Sequence, residues 1–206
     1  MTLRQRITTT EGLFAVVVSM VVLLVLPARY FVDATFGVTT VMLAAAFLTA
    51  VSPRPNLTSR SVFVGFSSAA LLYALFYVGN TAMKLAGFPS ASGPSGASIY
   101  SLISSTANPF AIQVSVLAFD AAGFEAFFRG TLQAKLSAKL GIAACPIVAV
   151  LDAAIHVVTL NPLWVTTTFV ADLVWGLTYA VGRDLSSSLL SHFIWDVAIF
   201  VVRPIR

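Results

Sequence analysis

Long apolar runs separated by short polar stretches set the pattern of this chain, and seven of them are long enough to read as membrane spans. They cover Gly12 to Val32, Thr35 to Val51, Ser61 to Met83, Phe110 to Phe128, Gly141 to Leu160, Leu163 to Val181 and Ser187 to Val202. A helix needs about 20 mostly apolar residues to cross a bilayer. Backbone polar groups in lipid must be paired within their own segment, and no run alternates as a barrel strand does, so each predicts an α-helix. The fold class expected is all-α, a polytopic transmembrane bundle of about seven spans. Between the third and fourth runs, residues 87–109 are rich in Gly, Ser and Pro and carry no charge. This stretch reads as an outer loop joining an N-terminal three-span part, residues 1–86, to a C-terminal four-span part, residues 110–206. Its apolar patch, Ile99, Tyr100, Leu102 and Ile103, leaves a second reading as a lid over a cavity; the linker reading is preferred because long loops more often connect than gate.

Composition agrees with the pattern and excludes a soluble domain: 58% of residues are hydrophobic and 10% charged, with a mean hydropathy of +0.93. The basic residues set an expected orientation. Arg4, Arg6, Arg54, Arg60, Lys135, Lys139 and Arg183 cluster in alternate connections, which places the N-terminus in the cytoplasm. Arg29, Lys84, Arg203 and Arg206 then lie outside, and an odd number of spans puts the C-terminus there too. The net charge of +4 follows from these loops, and with no basic stripe and interleaved aromatics it implies no nucleic-acid partner. The first run has a basic leader but no clear small-residue cleavage pattern, so it reads as a retained anchor. One cysteine, Cys145, rules out disulfides and cysteine-rich metal sites and reads as a packing residue.

Ionisable residues inside the runs change the picture from a membrane anchor to a membrane site. His156, His192, Asp120, Glu125, Asp152, Asp172 and Asp196 all fall within the last four. Each costs on the order of 2.5 to 3.5 kcal/mol to insert, which predicts an interior polar chamber rather than lipid contact. Glu125 and Arg129 stand four apart with the acid first, the favourable order for an ion pair on one helix face. Asp152 precedes His156 by one turn and Asp196 follows His192 by one turn, so each histidine has a carboxylate on its own face. Such a pair gives a proton relay or a base whose tautomer the acid fixes. Asp172 has no nearby histidine on its helix and is expected to bond Thr or Ser across helices. Two histidines and several carboxylates could ligate zinc, but no His-Glu-x-x-His helix is present and the donors come from separate spans, so the expectation is no cofactor, with zinc the less favoured alternative. The serines Ser186, Ser187, Ser188 and Ser191 read as close-packing residues rather than nucleophiles.

The order of these residues resembles the CPBP family of intramembrane proteases, also called the CAAX-processing or Abi family. Phe128-Arg129-Gly130 is similar to the end of its first motif, His156 to its second, Phe169 with Gly176 to its third, and Ser191-His192-Phe193-Ile194-Trp195-Asp196 to its fourth. The likeness covers about Phe110 to Ile199, and its specificity lies in the ordered set. It implies a CPBP-like core in the C-terminal four spans. It also implies a first motif, Glu-Glu-x-x-x-Arg, in which one acid activates a water and the next pairs with the arginine. The spacing to Arg129 makes Glu125 the arginine-paired acid, and Phe124 takes the place of the water-activating one. Phenylalanine accepts no proton, so the general base is lost at that position. Asp152, where the family commonly has Phe, and Asp172, where it commonly has Gly, depart further.

The leading functional expectation is an intramembrane endopeptidase of this type, cleaving a membrane-associated protein or peptide that enters between helices. His156, His192 and Asp196 would polarise the carbonyl, and Asp120, one turn before Phe124, or Asp152, one turn before His156, would activate the water. The rival expectation is a catalytically silent relative serving as a binding or assembly subunit among other membrane proteins; Phe124 favours it. A proton-coupled transporter using Asp120, Asp152 and Asp172 is third, since no inverted repeat or broken helix pair is visible.

Overall fold

A computed structural model of the chain describes residues 9–49, 55–88, 90–91, 93–104, 110–182 and 184–205. Arg4, Arg6, Val51, Arg54, Arg183 and Arg206 lie outside the described residues, as do the side chains of Leu102 and Ile103. Nine α-helices occur among those described, and no strand. They are α1 (Thr9–Val25), α2 (Phe31–Thr49), α3 (Ser59–Leu85), α4 (Pro94–Ser104), α5 (Phe110–Phe127), α6 (Ala134–Leu140), α7 (Ala144–His156), α8 (Pro162–Gly182) and α9 (Leu185–Asp196).

Local chemistry explains most of the boundaries. The first apolar run, expected to continue to Val32, instead stops at Val25, because Pro27 lacks the amide a helix needs and disfavours helical backbone before it. Thr58 caps α3: its hydroxyl accepts from the Ser61 amide at 3.1 Å while the Ser61 hydroxyl accepts from the Thr58 amide at 2.7 Å. Asn161 caps α8 with Oδ1, accepting from Leu163 N at 3.1 Å and Trp164 N at 3.3 Å, and Pro162 occupies the first turn, where its missing amide is harmless. Asp184 caps α9 through Ser187 N at 3.0 Å.

The chain reverses after α6 at Gly141, whose φ of +56° lies in the region open to glycine. The helix begun by α5 does not end at Phe127. It continues through a π-helical stretch, Phe128–Gln133, into α6, and α9 likewise runs on into a π-helical stretch, Val197–Val202.

The stretch expected to be a plain connecting loop contains α4. Pro94 starts it with the φ a first turn requires, and hydrogen bonds to Asn161, the cap of α8, and to Ile205 hold it. Asn161 Nδ2 donates to Ser95 O at 2.9 Å and to Ser98 Oγ at 3.0 Å, and Tyr100 OH donates to Ile205 O at 3.1 Å.

The most extensive helix contacts join α3 to α9, α7 to α8, α2 to α5 and α1 to α2. The first of these is close because Gly65 lets α9 approach; a Cβ there would meet Leu190 Cβ at 2.8 Å and Ser187 O at 2.9 Å. Gly123 does the same for α5 against α2, where a Cβ would lie 2.5 Å from Thr39 Cγ2. One apolar cluster runs from Val16 and Met42 through Leu72 and Phe124 to Trp195 and Ile205, so the first three helices share the core of the last ones.

Outside that core the surface is apolar too. Phe14 and Phe63 are each 72% exposed, and Leu71, Phe66 and Phe110 also face outward. A soluble monomer does not carry such a surface. Four helical stretches, Phe31–Thr49, Ser59–Leu85, Phe110–Thr159 and Leu185–Val202, are long and apolar enough to cross a membrane, and Thr10–Val25 is a shorter apolar helix. The chain is an all-α integral membrane protein.

Candidate active site

The polar residues of the spans turn inward. Glu125, Arg129, Asp152, Asp172, His192 and Asp196 are all buried, although they sit on five helical segments of an apolar protein. Each must therefore find its partner inside the bundle.

Arg129 lies in the π-helical stretch, where the widened turn leaves Phe128, Arg129, Gly130, Thr131, Leu132 and Gln133 all buried. Its guanidinium spans two helices. Nη1 donates to Asp172 Oδ2 at 3.2 Å, Nη2 donates to the Asp172 carbonyl at 3.1 Å, and Nη2 is also directly bonded to Asp172 Oδ1. Asp172 is thus the fork partner of Arg129, and the expectation of a Thr or Ser partner is corrected. The expected neutralisation of Arg129 by Glu125 holds only in part: Nε and Oε2 are 3.5 Å apart and share no hydrogen bond. Glu125 gives its other oxygen to His192, with Oε1 2.9 Å from Nδ1.

His192 is held on every side. Asp196 Oδ2 lies 3.3 Å from Nε2, so carboxylates stand at both ring nitrogens. Trp175 stacks on the imidazole with centroids 3.6 Å apart and planes 14° from parallel, and Phe124 meets its edge at 5.1 Å. Phe124 itself stacks on Phe128 at 4.4 Å. The aromatic ring that stands in the place of an acid therefore packs directly against the histidine.

A cavity of about 380 Å³ opens beside this cluster. Its walls are mostly apolar, with Leu75, Phe76, Phe124 and Trp175 among them, and Ile99 and Tyr100 of α4 also line it. The polar groups reaching it are few: Asp120, Asp152, His192 and Asp196, with Asn80 and the threonines Thr166, Thr167 and Thr168. Asp120 of α5 joins His192 and Asp196 there, one oxygen or nitrogen of each lying within 4.8 Å of the others. That spacing suits a shared water molecule.

His156 stands apart from this group. Its Nδ1 bonds the Asp152 main-chain carbonyl at 3.0 Å, with the nearest Asp152 carboxylate oxygen at 3.8 Å, and its ring lies 5.7 Å from Trp164. Asp152, rather than His156, lines the cavity. Cys145 is buried and its Sγ accepts a hydrogen bond from Gln133 Nε2 at 3.3 Å. Gln133 also donates to the Gly176 carbonyl at 2.8 Å; a Cβ at position 176 would lie 3.0 Å from Gln133 Oε1 and 3.4 Å from Cys145 Cβ, which explains the glycine there. Trp175 is the functional neighbour that sequence reasoning missed; its signal was its place beside Gly176 in the third motif.

Residues 106–198, a little under half of the chain, match the family described as Type II CAAX prenyl endopeptidase Rce1-like. The region that carries the buried cluster is thus the region that carries the CPBP-family likeness. No curated protein and no solved structure matches the chain.

Proposed function

We propose that this membrane protein, Rce1-like over residues 106–198, hydrolyses a peptide bond in a membrane-associated protein or peptide, with Asp120 as the acid that activates water. The observation that carries the reading is the convergence of Asp120, His192 and Asp196 on one cavity wall within 4.8 Å. Phe124 cannot accept a proton, and Asp120 one turn earlier on α5 can.

In this reading a water held by the three side chains attacks the scissile carbonyl carbon while Asp120 takes its proton. The oxyanion that forms is stabilised by His192, whose Nδ1 contact to Glu125 and stacking on Trp175 fix its orientation. Collapse of the tetrahedral intermediate breaks the C–N bond, and Asp120 returns the proton to the leaving amine. Asp152, on the same cavity, is the second acid that could serve. The apolar walls suit a substrate segment arriving from the lipid side. The alternation of basic and poorer connections supports a cytoplasmic N-terminus and an outer C-terminus.

The test is turnover of membrane-tethered peptides by the detergent-purified protein. Cleavage is expected in the wild type, with a loss of about 10²- to 10⁴-fold in Asp120→Asn and in His192→Ala. Cleavage unaffected by Asp120→Asn would remove Asp120 from the mechanism. A second reading, a silent CPBP-like scaffold that binds membrane partners, is favoured by the packing of Phe124 on His192. It predicts no turnover in the wild type and the appearance of turnover in Phe124→Glu.

A further inference from the structure

Asp152 stands apart from the polar groups of α5 and α9. It comes from α7, lines the cavity and is 1% exposed, and among the described residues neither of its carboxylate oxygens has a hydrogen-bond partner. The other buried acids each have one. Glu125 and Asp196 share His192, Asp172 holds Arg129, and Asp120 accepts from Thr39 Oγ1 at 3.4 Å.

The cations nearest Asp152 are already engaged. His156 Nδ1 lies 3.8 Å from the nearest Asp152 carboxylate oxygen and donates instead to the Asp152 main-chain carbonyl at 3.0 Å. A carbonyl only accepts, so that bond consumes the Nδ1 proton. Arg129 is bound by Asp172, with Glu125 3.5 Å away. A carboxylate buried without a partner carries the full penalty of its lost hydration. The fold has therefore met the cost of desolvating this charge in advance, and a cation that arrives beside it gains the attraction without that cost.

The surroundings narrow the kind of cation. Leu117, Leu163 and Trp164 line the same cavity, and the Trp164 ring lies 5.7 Å from the ring of His156, one turn beyond Asp152. An aromatic face and an unpaired carboxylate at the end of an apolar cavity suit a positive head on a hydrocarbon stem. Lysine and arginine side chains have that form. A bare hydrated ion would leave the apolar walls unused.

We infer that Asp152 sets the substrate class of the cavity by receiving the side chain of a basic residue, lysine or arginine, in the peptide. The inference rests on the cavity being the peptide site with Asp120 as the base, which leaves Asp152 for recognition. Asp152 is then a specificity residue: it pairs with the substrate's side chain and takes no part in moving the water's proton. A peptide with an apolar residue at the same place leaves the carboxylate unpaired and binds less tightly.

Equilibrium binding of labelled, membrane-tethered peptides to the detergent-purified protein tests this, with lysine, arginine or norleucine placed in turn at each position along the peptide. At one position the wild type is expected to bind a basic peptide roughly ten- to a hundred-fold more tightly than its norleucine twin. In Asp152→Asn the twins should bind alike, with Tm showing that the variant is folded, whereas Asp33→Asn, an exposed acid of α2, should keep the preference. A wild type without preference at any position would overturn the inference, and this comparison needs no variant. A preference that survives Asp152→Asn would overturn it as well. Where cleavage occurs, Asp152→Asn should raise KM for the basic peptide alone; an equal fall in kcat on both twins would make Asp152 the base and end its role in recognition. Binding is read without turnover, so a protein that selects basic peptides and cleaves none defeats the hydrolytic reading alone, and one that cleaves without preference defeats this inference alone.

Discussion

Arg129 and Asp172 show how much a single buried contact can weigh. The guanidinium sits fully buried with its fork on Asp172, while Glu125 is shared with His192. Removing Asp172 leaves a buried cation with only Glu125, 3.5 Å away and shared with His192, to balance it, so Asp172→Ala should destabilise the protein by about 3 kcal/mol, read as a fall in Tm or in the denaturant midpoint. Asp172→Asn retains a hydrogen-bond acceptor and should cost less. Half of this network was legible in the chain: Glu125 with Arg129 and His192 with Asp196 are each four residues apart, and helical spacing forces them together. Asp172 was not, because it lies 43 residues from Arg129 and only the crossing of α8 with the π-helical stretch joins them. Asp120 was legible as a candidate through its one-turn distance from Phe124, but its approach to α9 is a tertiary fact.

At the level of helices, the close crossings depend on absent side chains. Gly65→Val would place its first branch carbon against Leu190 and Ser187. It should cost about 1–3 kcal/mol or more, and separate α3 from α9, the crossing that backs His192. Asp184→Ala removes the cap of α9 and should cost about 1 kcal/mol, seen in the same unfolding measurements. The apolar runs announced α2, α3, α5, α7, α8 and α9 because uninterrupted hydrophobicity of that length has no soluble alternative. α4 was hidden, since Gly, Ser and Pro dominate the stretch around it and the helical spacing of Ile99, Leu102 and Ile103 spans barely more than one turn; the hydrogen bonds of Asn161 and Tyr100 hold a helix that composition alone argues against. The π-helical stretches were hidden too, for a five-residue hydrogen-bond register leaves no mark in a residue pattern.

Across the molecule, the cavity is framed from both ends of the sequence. Leu75 and Asn80 of α3 face it from one side, and Ile99 and Tyr100 of α4 from another. The Tyr100 hydroxyl both donates to Ile205 O and accepts from Ile205 N, each at 3.1 Å, tying α4 to the far end of the chain. Tyr100→Phe should therefore speed amide hydrogen exchange at Ile205 and along α4 while leaving α7 and α8 unchanged.

The indole of Trp175, lying flat on His192 at 3.6 Å, gives this protein a built-in optical reporter. Imidazole in van der Waals contact quenches tryptophan emission according to its charge and occupancy. Any molecule or ion that takes hold of His192 would thus announce itself as a change in intrinsic fluorescence, without a label, and Trp175→Phe would silence the signal while Trp164 and Trp195 continued to glow.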